Sequence, residues 1–329
     1  MSKIAVLGDG SWATAIVKIL NDNNHNINWN IRLEDDIEYI RKHRRNPNYL
    51  TGVELHLDKI KLFNNIEQAL EGVDTVIIVI PSAYLHEALQ NVKRTAFNNL
   101  FIVSAVKGIV PDYYVTPLEY MKNVFDLKDD QFGVISGPSH AEEIALERLT
   151  YLTASAENQE KADYLARLFA CHYTKTTTSD DIYGTEYAAI MKNIMAVASG
   201  IAHGLGYGDN FQAVLISNAI REIKSFVDLV HPITRDIKNS VYLGDLLVTA
   251  YSTFSRNRTF GNMIGKGYSV KAAQLEMNMV AEGYYAVKGI FEINKKYNIK
   301  LPITEAVYNI LYDRISPRIE MNILKDQLD

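Results

Sequence analysis

One cysteine, Cys171, stands in a chain of 329 residues. That excludes a disulfide framework and a thiolate metal centre, and it fits a reducing compartment. The eight histidines are scattered and form no HExxH or comparable ligand pattern, so no metal is expected. No apolar run approaches the roughly 18 residues that a membrane-spanning helix requires. Lys3-Ile4-Ala5-Val6-Leu7 is too short for the core of a signal peptide, and a cytoplasmic protein is expected. A basic excess is lacking too: the formal net charge of −5 argues against nucleic-acid binding through a basic surface. Internal repeats and low-complexity tracts are absent, which leaves every segment available for folding. What remains is an ordinary globular composition whose length favours two domains.

The N-terminal strand runs straight into Gly8-Asp9-Gly10-Ser11-Trp12-Ala13, and helical apolar spacing follows from Thr14 to Asn21. Strand, G-x-G-x-x-G/A turn and helix N-terminus make a dinucleotide fingerprint. Gly8 permits the tight turn, Gly10 lets the backbone approach a pyrophosphate, and Ala13 is small enough for the helix–strand crossing. The helix N-terminus supplies amide donors and positive dipole to the phosphates. A second strand, Ile27 to Ile31, ends at Arg32, where an NAD enzyme usually keeps an acid for the ribose. Arginine there suits a 2′-phosphate, whereas Glu34 and Asp35 close behind suit NAD, so NADPH and NADH both stay open. Further apolar, β-branched runs at Val73–Ile80, Asn99–Val106 and Val134–Ser136 read as parallel strands. They close at Pro81-Ser82, Lys107-Gly108 and Gly137-Pro138-Ser139, the polar or glycine-bearing ends where ligands sit in open sheets. Strands at 149–155 and 172–178 around a helix at 159–169 complete this domain.

From 181 to 203 the chain has no proline and only two glycines, Gly184 and Gly200. Ile182, Glu186, Ile190, Asn193, Val197 and Ile201 recur at helical spacing, and the helix is apolar nearly all round, which predicts burial. Lys192 sits among Ala188, Ala189, Met195 and Ala196 with no carboxylate one turn away. Its stem packs while its head snorkels to water, or the ammonium is buried with a distant partner and is a candidate acid or base. Beyond it the pattern stays helical, at about 210–228, 246–254, 269–276, 283–297, 303–312 and 316–328. The fold class is therefore α/β: a Rossmann-type, mostly parallel sheet domain at 1–179, then an all-helical domain at 180–329.

With these pieces placed, the chain resembles the NAD(P)-dependent glycerol-3-phosphate dehydrogenases of the bacterial soluble type over essentially its whole length. The marks are the glycine turn, Ile80-Pro81-Ser82, Ser104-Ala105-Val106-Lys107-Gly108-Ile109 and Ser136-Gly137-Pro138-Ser139-His140-Ala141-Glu142-Glu143. Lys192-Asn193, Gly204-Leu205-Gly206-Tyr207-Gly208-Asp209-Asn210, Leu243-Gly244-Asp245-Leu246, Ser255-Arg256-Asn257-Arg258 and Val280-Ala281-Glu282-Gly283 follow in order. The resemblance implies reversible, NADH- or NADPH-dependent reduction of dihydroxyacetone phosphate to sn-glycerol 3-phosphate for phospholipid synthesis. It implies Lys192 as proton donor and acceptor, Lys107 between nicotinamide and substrate, and Asp245 as the partner of Lys192. Gly137, Ser139, Ser255, Arg256 and Asn257 align with substrate contacts. Gly8, Gly10, Ser11, Trp12, Ala13, Arg32, Pro81, Lys107, Ala141, Arg256, Val280 and Glu282 align with cofactor positions. The expected partner is a triose phosphate, without nucleic acid or membrane insertion, and the assembly to consider is a homodimer. Three departures stand out: Ala13 for glycine, Ala188-Ala189 for a glycine pair, and an unusual approach at 231–242. The alternatives are a related 6-phosphogluconate- or β-hydroxyacid-type dehydrogenase and a nucleotide sensor without catalysis.

Overall fold

Runs such as Val76-Ile77-Ile78 and Ile102-Val103 are fully buried, as strands covered on both faces must be. The computed structural model describes residues 3–277 and 281–329, and the chain divides into two units. The first comprises Met1–Val106 and Pro117–Ile182; the second comprises Lys107–Thr116 and Tyr183–Asp329.

In the first unit, the strands are β1 (Lys3–Leu7), β2 (Asn26–Asn30), β3 (Ile60–Phe63), β4 (Thr75–Ile78), β5 (Phe101–Ser104), β6 (Phe132–Ser136), β7 (Thr150–Ser155) and β8 (Thr174–Ser179). They form one sheet in the order β3-β2-β1-β4-β5-β6-β7-β8. All neighbours are parallel except β6 and β7. The helices are α1 (Ser11–Asp22), α2 (Glu34–His43), α3 (Ile66–Leu70), α4 (Ser82–Leu89), α5 (Pro117–Phe125), α6 (Ala141–Ala145) and α7 (Gln159–Phe169). The sequence pattern did not yield β3. It has four residues at the sheet edge and buries only Ile60, so neither length nor alternation announces it.

The second unit is helical: α8 (Ile182–Gly204), α9 (Asp209–Val230), α10 (Asp245–Tyr251), α11 (Arg256–Gly265), α12 (Val270–Glu276), α13 (Glu282–Tyr297), α14 (Pro302–Leu311) and α15 (Pro317–Lys325). As its composition predicts, α8 is the buried axis of the core, with Ile190, Met191, Ile194, Met195, Val197 and Ile201 inaccessible. Helix α11 packs directly against it. A β carbon on Gly261 would overlap the Val197 carbonyl oxygen, and one on Gly200 would overlap the Arg258 carbonyl oxygen. Gly204 and Gly265 meet in the same seam, where a β carbon on either would come within 3.0 Å of the other's Cα. Two helix backbones touch here because neither carries a side chain at the crossing. On α9 the buried Glu222 carboxylate accepts the Ile303 and Thr304 amides and the Thr304 hydroxyl, so it caps α14 from another helix. Burial pushes Glu222 up to about 7, against the pull of those three donors.

The segment Lys107–Thr116 packs with the second unit, although its place in sequence set it in the first domain. Ile109, 1% exposed, joins the helical core, and Asn193 Nδ2 donates to the Lys107 carbonyl at 2.6 Å. The glycine seam yields a direct test. Gly261→Ala overpacks it and should cost about 1–3 kcal/mol or more. Gly52→Ala, where a β carbon would meet nothing within 4 Å, should stay within about 0.5 kcal/mol of wild type. Denaturant midpoints of the two variants check this, and equal midpoints would show that the seam is not tight.

Candidate active site

In the first unit the glycine turn is braced on every side. Gly8 has φ +123°, a conformation other residues rarely adopt, and its carbonyl accepts the Trp29 indole N–H at 2.8 Å. Gly10 precedes the first residue of α1, and a β carbon on it would meet nothing within 4 Å, so the mouth of the turn has room for a ligand's phosphates. Ser11 and Ala13 are buried in the first turn of α1, and Trp12 donates its indole N–H to the Ala105 carbonyl at 3.1 Å. Asn46, which sequence reasoning passed over, is 3% exposed and donates to the Asp9 carbonyl and to Thr14 Oγ1. An Asn-Pro pair closing the basic run after α2 was its only local signal. The Arg32 side chain is exposed, and its backbone amide donates to Asp9 Oδ2 at 3.0 Å. Pro81 stands just before α4, Ala141 opens α6, and Gly137 has φ +131° after β6. Ser139 Oγ donates to the Gly137 carbonyl at 2.9 Å.

The second unit gathers three of the sequence-predicted residues into one cluster. Lys192 is 6% exposed, so its head does not snorkel; it is buried with a partner. Its Nζ lies 2.5 Å from Asp245 Oδ1 and 2.9 Å from Thr249 Oγ1. Lys107 Nζ reaches the other oxygen of the same carboxylate, Asp245 Oδ2, at 3.3 Å. Asp245 is the first residue of α10, which continues directly from a π-helical turn at Ser240–Gly244. Thr249, one turn later, donates to the Asp245 backbone carbonyl at 2.6 Å and was not foreseen. Its signal was the four-residue spacing from Asp245, which places both on one face of α10.

Electrostatics set the protonation of this cluster. Burial brings Lys192 down to about 7, helped by the neighbouring Lys107 charge and opposed by Asp245. Burial alone would raise the Asp245 carboxyl, but the Lys107 and Lys192 ammonium groups hold it below its ordinary value. Fully ionised, two ammonium groups and one carboxylate leave one positive charge, and such a site favours an anion.

The remaining residues are distributed around α11 and α13. The buried Ser255 caps α11 by accepting the Arg258 amide, and Asn257 Oδ1 accepts the Gly283 amide at 2.8 Å. Arg256 is exposed in the first turn of α11, and Glu282 opens α13. Val280 lies outside the described residues. Among the described residues no group of three or more His, Cys, Asp or Glu side chains could hold a metal ion.

A mostly parallel sheet with an open glycine turn, and a helical unit with a lysine buried against aspartate, are the parts of a nicotinamide-dependent dehydrogenase. The comparisons with known proteins narrow that class. Residues 3–162 match the N-terminal model, and residues 181–322 the C-terminal model, of NAD-dependent glycerol-3-phosphate dehydrogenase. The chain is 38% identical to a glycerol-3-phosphate dehydrogenase [NAD(P)+] of Bacillus pumilus, covering 95% of this chain and 91% of that one. The crystal structure of glycerol-3-phosphate dehydrogenase from Coxiella burnetii superposes with TM-score 0.90 at 28% identity, covering 98% of each chain. A ketopantoate reductase from Ralstonia eutropha shares the fold alone, with TM-score 0.61 at 14% identity over 97% of this chain and 99% of that one. The chain belongs to the NAD-dependent glycerol-3-phosphate dehydrogenase family.

The shared carboxylate predicts strong coupling. Asp245→Asn leaves buried cations without their counter-charge and should cost about 3–5 kcal/mol of stability. Adding Lys192→Met should cost little more, because the second change removes the orphaned ammonium. Chemical denaturation of the two single variants and the double variant measures this, and additive losses would show that the pair does not act as a unit.

Proposed function

We propose that the protein catalyses the reversible reduction of dihydroxyacetone phosphate to sn-glycerol 3-phosphate with NADH or NADPH, supplying glycerol phosphate for phospholipid synthesis. The observation that carries this reading is Lys192: an ammonium in an apolar helix, brought to about 7 by burial, hydrogen-bonded to Asp245 and Thr249. A group titrating there gives up and regains a proton at neutral pH, as acid–base catalysis requires.

Gly8, Gly10, Ser11, Trp12 and Ala13 would hold the cofactor's pyrophosphate, and Arg32 would face the adenosine ribose or its 2′-phosphate. Pro81, Ala141, Lys107, Arg256 and Glu282 would complete its contacts. When bound, the nicotinamide supplies the hydride for the keto carbon. Lys192 donates a proton to the carbonyl oxygen as negative charge grows there, and Lys107 stabilises that charge. Asp245 keeps both ammonium groups in place and opposes the fall of the Lys192 pKa. Arg256 and Asn257 offer a planar guanidinium fork and an amide to the phosphate dianion, with Gly137, Ser139 and Ser255 around the substrate. In the reverse direction neutral Lys192 accepts the hydroxyl proton.

The same reading includes a cytoplasmic setting and a homodimer. Ile315, Ile319 and Ile323 recur every four residues along α15 and just before it, all exposed, which suits a second copy of the chain.

Three measurements test the reading. Lys192→Met should lower kcat for reduction by about 10²–10⁴-fold while cofactor binding persists, and Lys192→Arg should not restore it. In the wild type the reductive kcat should fall as pH rises through about 7, because the donor form is lost, and the oxidative kcat should rise over the same interval. A folded Lys192→Met protein with normal single-turnover hydride transfer would exclude Lys192 as the acid. Separately, Arg256→Ala should lose about 2–5 kcal/mol of its preference for dihydroxyacetone phosphate over dihydroxyacetone. Unchanged discrimination would move phosphate recognition elsewhere.

A further inference from the structure

Lys107 stands at the start of a ten-residue segment, Lys107–Thr116, that returns to the helical unit for its packing. A bridge between Val110 and Val115 closes it, and Asp112 and Tyr114 turn it with φ 67° and 52°. Ile109, two residues after the lysine, seats its side chain against Gly289 inside α13. A β carbon on Gly289 would come within 2.5 Å of Ile109 Cγ2 and 2.8 Å of Cβ and Cγ1. Gly289 has no left-handed backbone to justify it, and glycine in a helix interior costs about 1 kcal/mol relative to alanine. What the missing side chain gives is the close approach of Ile109. Beside it, Lys288 Nζ lies 5.8 Å from the Tyr114 ring centroid, a second hold on the same loop. Asn193, next to Lys192, donates to the Lys107 carbonyl at 2.6 Å.

We propose that Gly289 and Ile109 are positioning residues, an interlock that fixes the Lys107 ammonium against Asp245 and so sets its spacing from Lys192. Neither residue touches the reacting atoms. They act through the backbone of the segment, which α13 holds by Ile109 and α8 holds by the Lys107 carbonyl. The inference rests on Lys107 taking part in the reaction, as given under Proposed function.

Gly289→Ala, Ile109→Ala, the double variant and Lys107→Met make the test, each assayed for kcat, KM, cofactor Kd and unfolding midpoint. Displacement by about 1 Å can cost about 10²-fold in rate, so Gly289→Ala should lower kcat by about that factor with cofactor Kd unchanged. Adding Ile109→Ala deletes Cγ1 and Cγ2, two of the three colliding atoms, and leaves Cβ at 2.8 Å, so the double variant should recover part of the lost kcat. The pH profile provides a readout that general destabilisation would not move. The charged groups facing Lys192 are Asp245 and Lys107, with the Thr249 hydroxyl beside them. Withdrawing Lys107 removes its depressing charge, so the pKa governing reductive kcat should rise in Gly289→Ala and move part of the way back in the double variant.

Wild-type kcat and pH profile in Gly289→Ala, with Lys107→Met inactive, would overturn the interlock and leave the reaction scheme standing. A kcat loss that Ile109→Ala does not relieve would overturn it equally. Should Gly289→Ala fail to fold, Ile109→Ala alone decides, since it loosens the segment without adding bulk. It should lower kcat and raise the same pKa, and an unchanged profile sinks the proposal. Full activity in Lys107→Met would instead sink the scheme itself, and the positioning role with it.

Discussion

Backbone-to-backbone contact along α8 is the constraint from which the helical unit is built. Glycine on α11 meets the Val197 carbonyl, glycine on α8 meets the Arg258 carbonyl, and Gly283 on α13 would place a β carbon 2.6 Å from the Asn193 carbonyl. Such seams leave no play, because moving either helix apart opens a void and moving it closer drives main chain into main chain. The seam fixes more than packing. Lys192 and Asn193 ride on α8, Ser255, Arg256 and Asn257 begin α11, and the Asn257 side chain holds the Gly283 amide. Lys192 on α8 and the candidate substrate side chains that begin α11 are thus spaced by helices packed main chain against main chain.

The charged cluster depends on that rigidity. Burying an ammonium is expensive unless a counter-charge and further hydrogen bonds meet it in good geometry. Here one carboxylate serves two lysines, one on each oxygen, and Thr249 takes a further Lys192 proton while returning its own to the Asp245 carbonyl. Desolvation outweighs pairing for Lys192, which brings it down to about 7. A looser frame would admit water and let the ammonium return to its ordinary value.

How much of this the sequence disclosed depended on whether the information was local. The run 181–203 announces α8 through its apolar periodicity, and the central strands announce themselves by continuous β-branched runs. The glycine turn was legible because its chemistry lies within six consecutive residues. Helix α11 was not, because within Arg256–Gly265 only Phe260, Met263 and Ile264 are apolar and two glycines weaken the pattern. Those glycines belong to the seam with α8, so the signal that hides the helix is the feature that makes it pack. Asp245 could be paired with Lys192 only through the family resemblance, since 53 residues separate them. Asn46 and the seat of Ile109 on Gly289 are tertiary facts with no periodic trace.

The segment carrying Lys107 has a consequence for how such a chain could be recombined. Because Lys107–Thr116 packs with the helical unit while its flanks belong to the sheet unit, the polypeptide passes between units at 106/107, 116/117 and 182/183. No single crossover point separates them. A chimera joined near residue 182 would inherit the Lys107 loop from one parent and the α13 surface beneath it from the other. Exchange between relatives is therefore compatible with function only where loop and helix travel together or already match. The two halves of the chain are bound into one heritable block by ten residues.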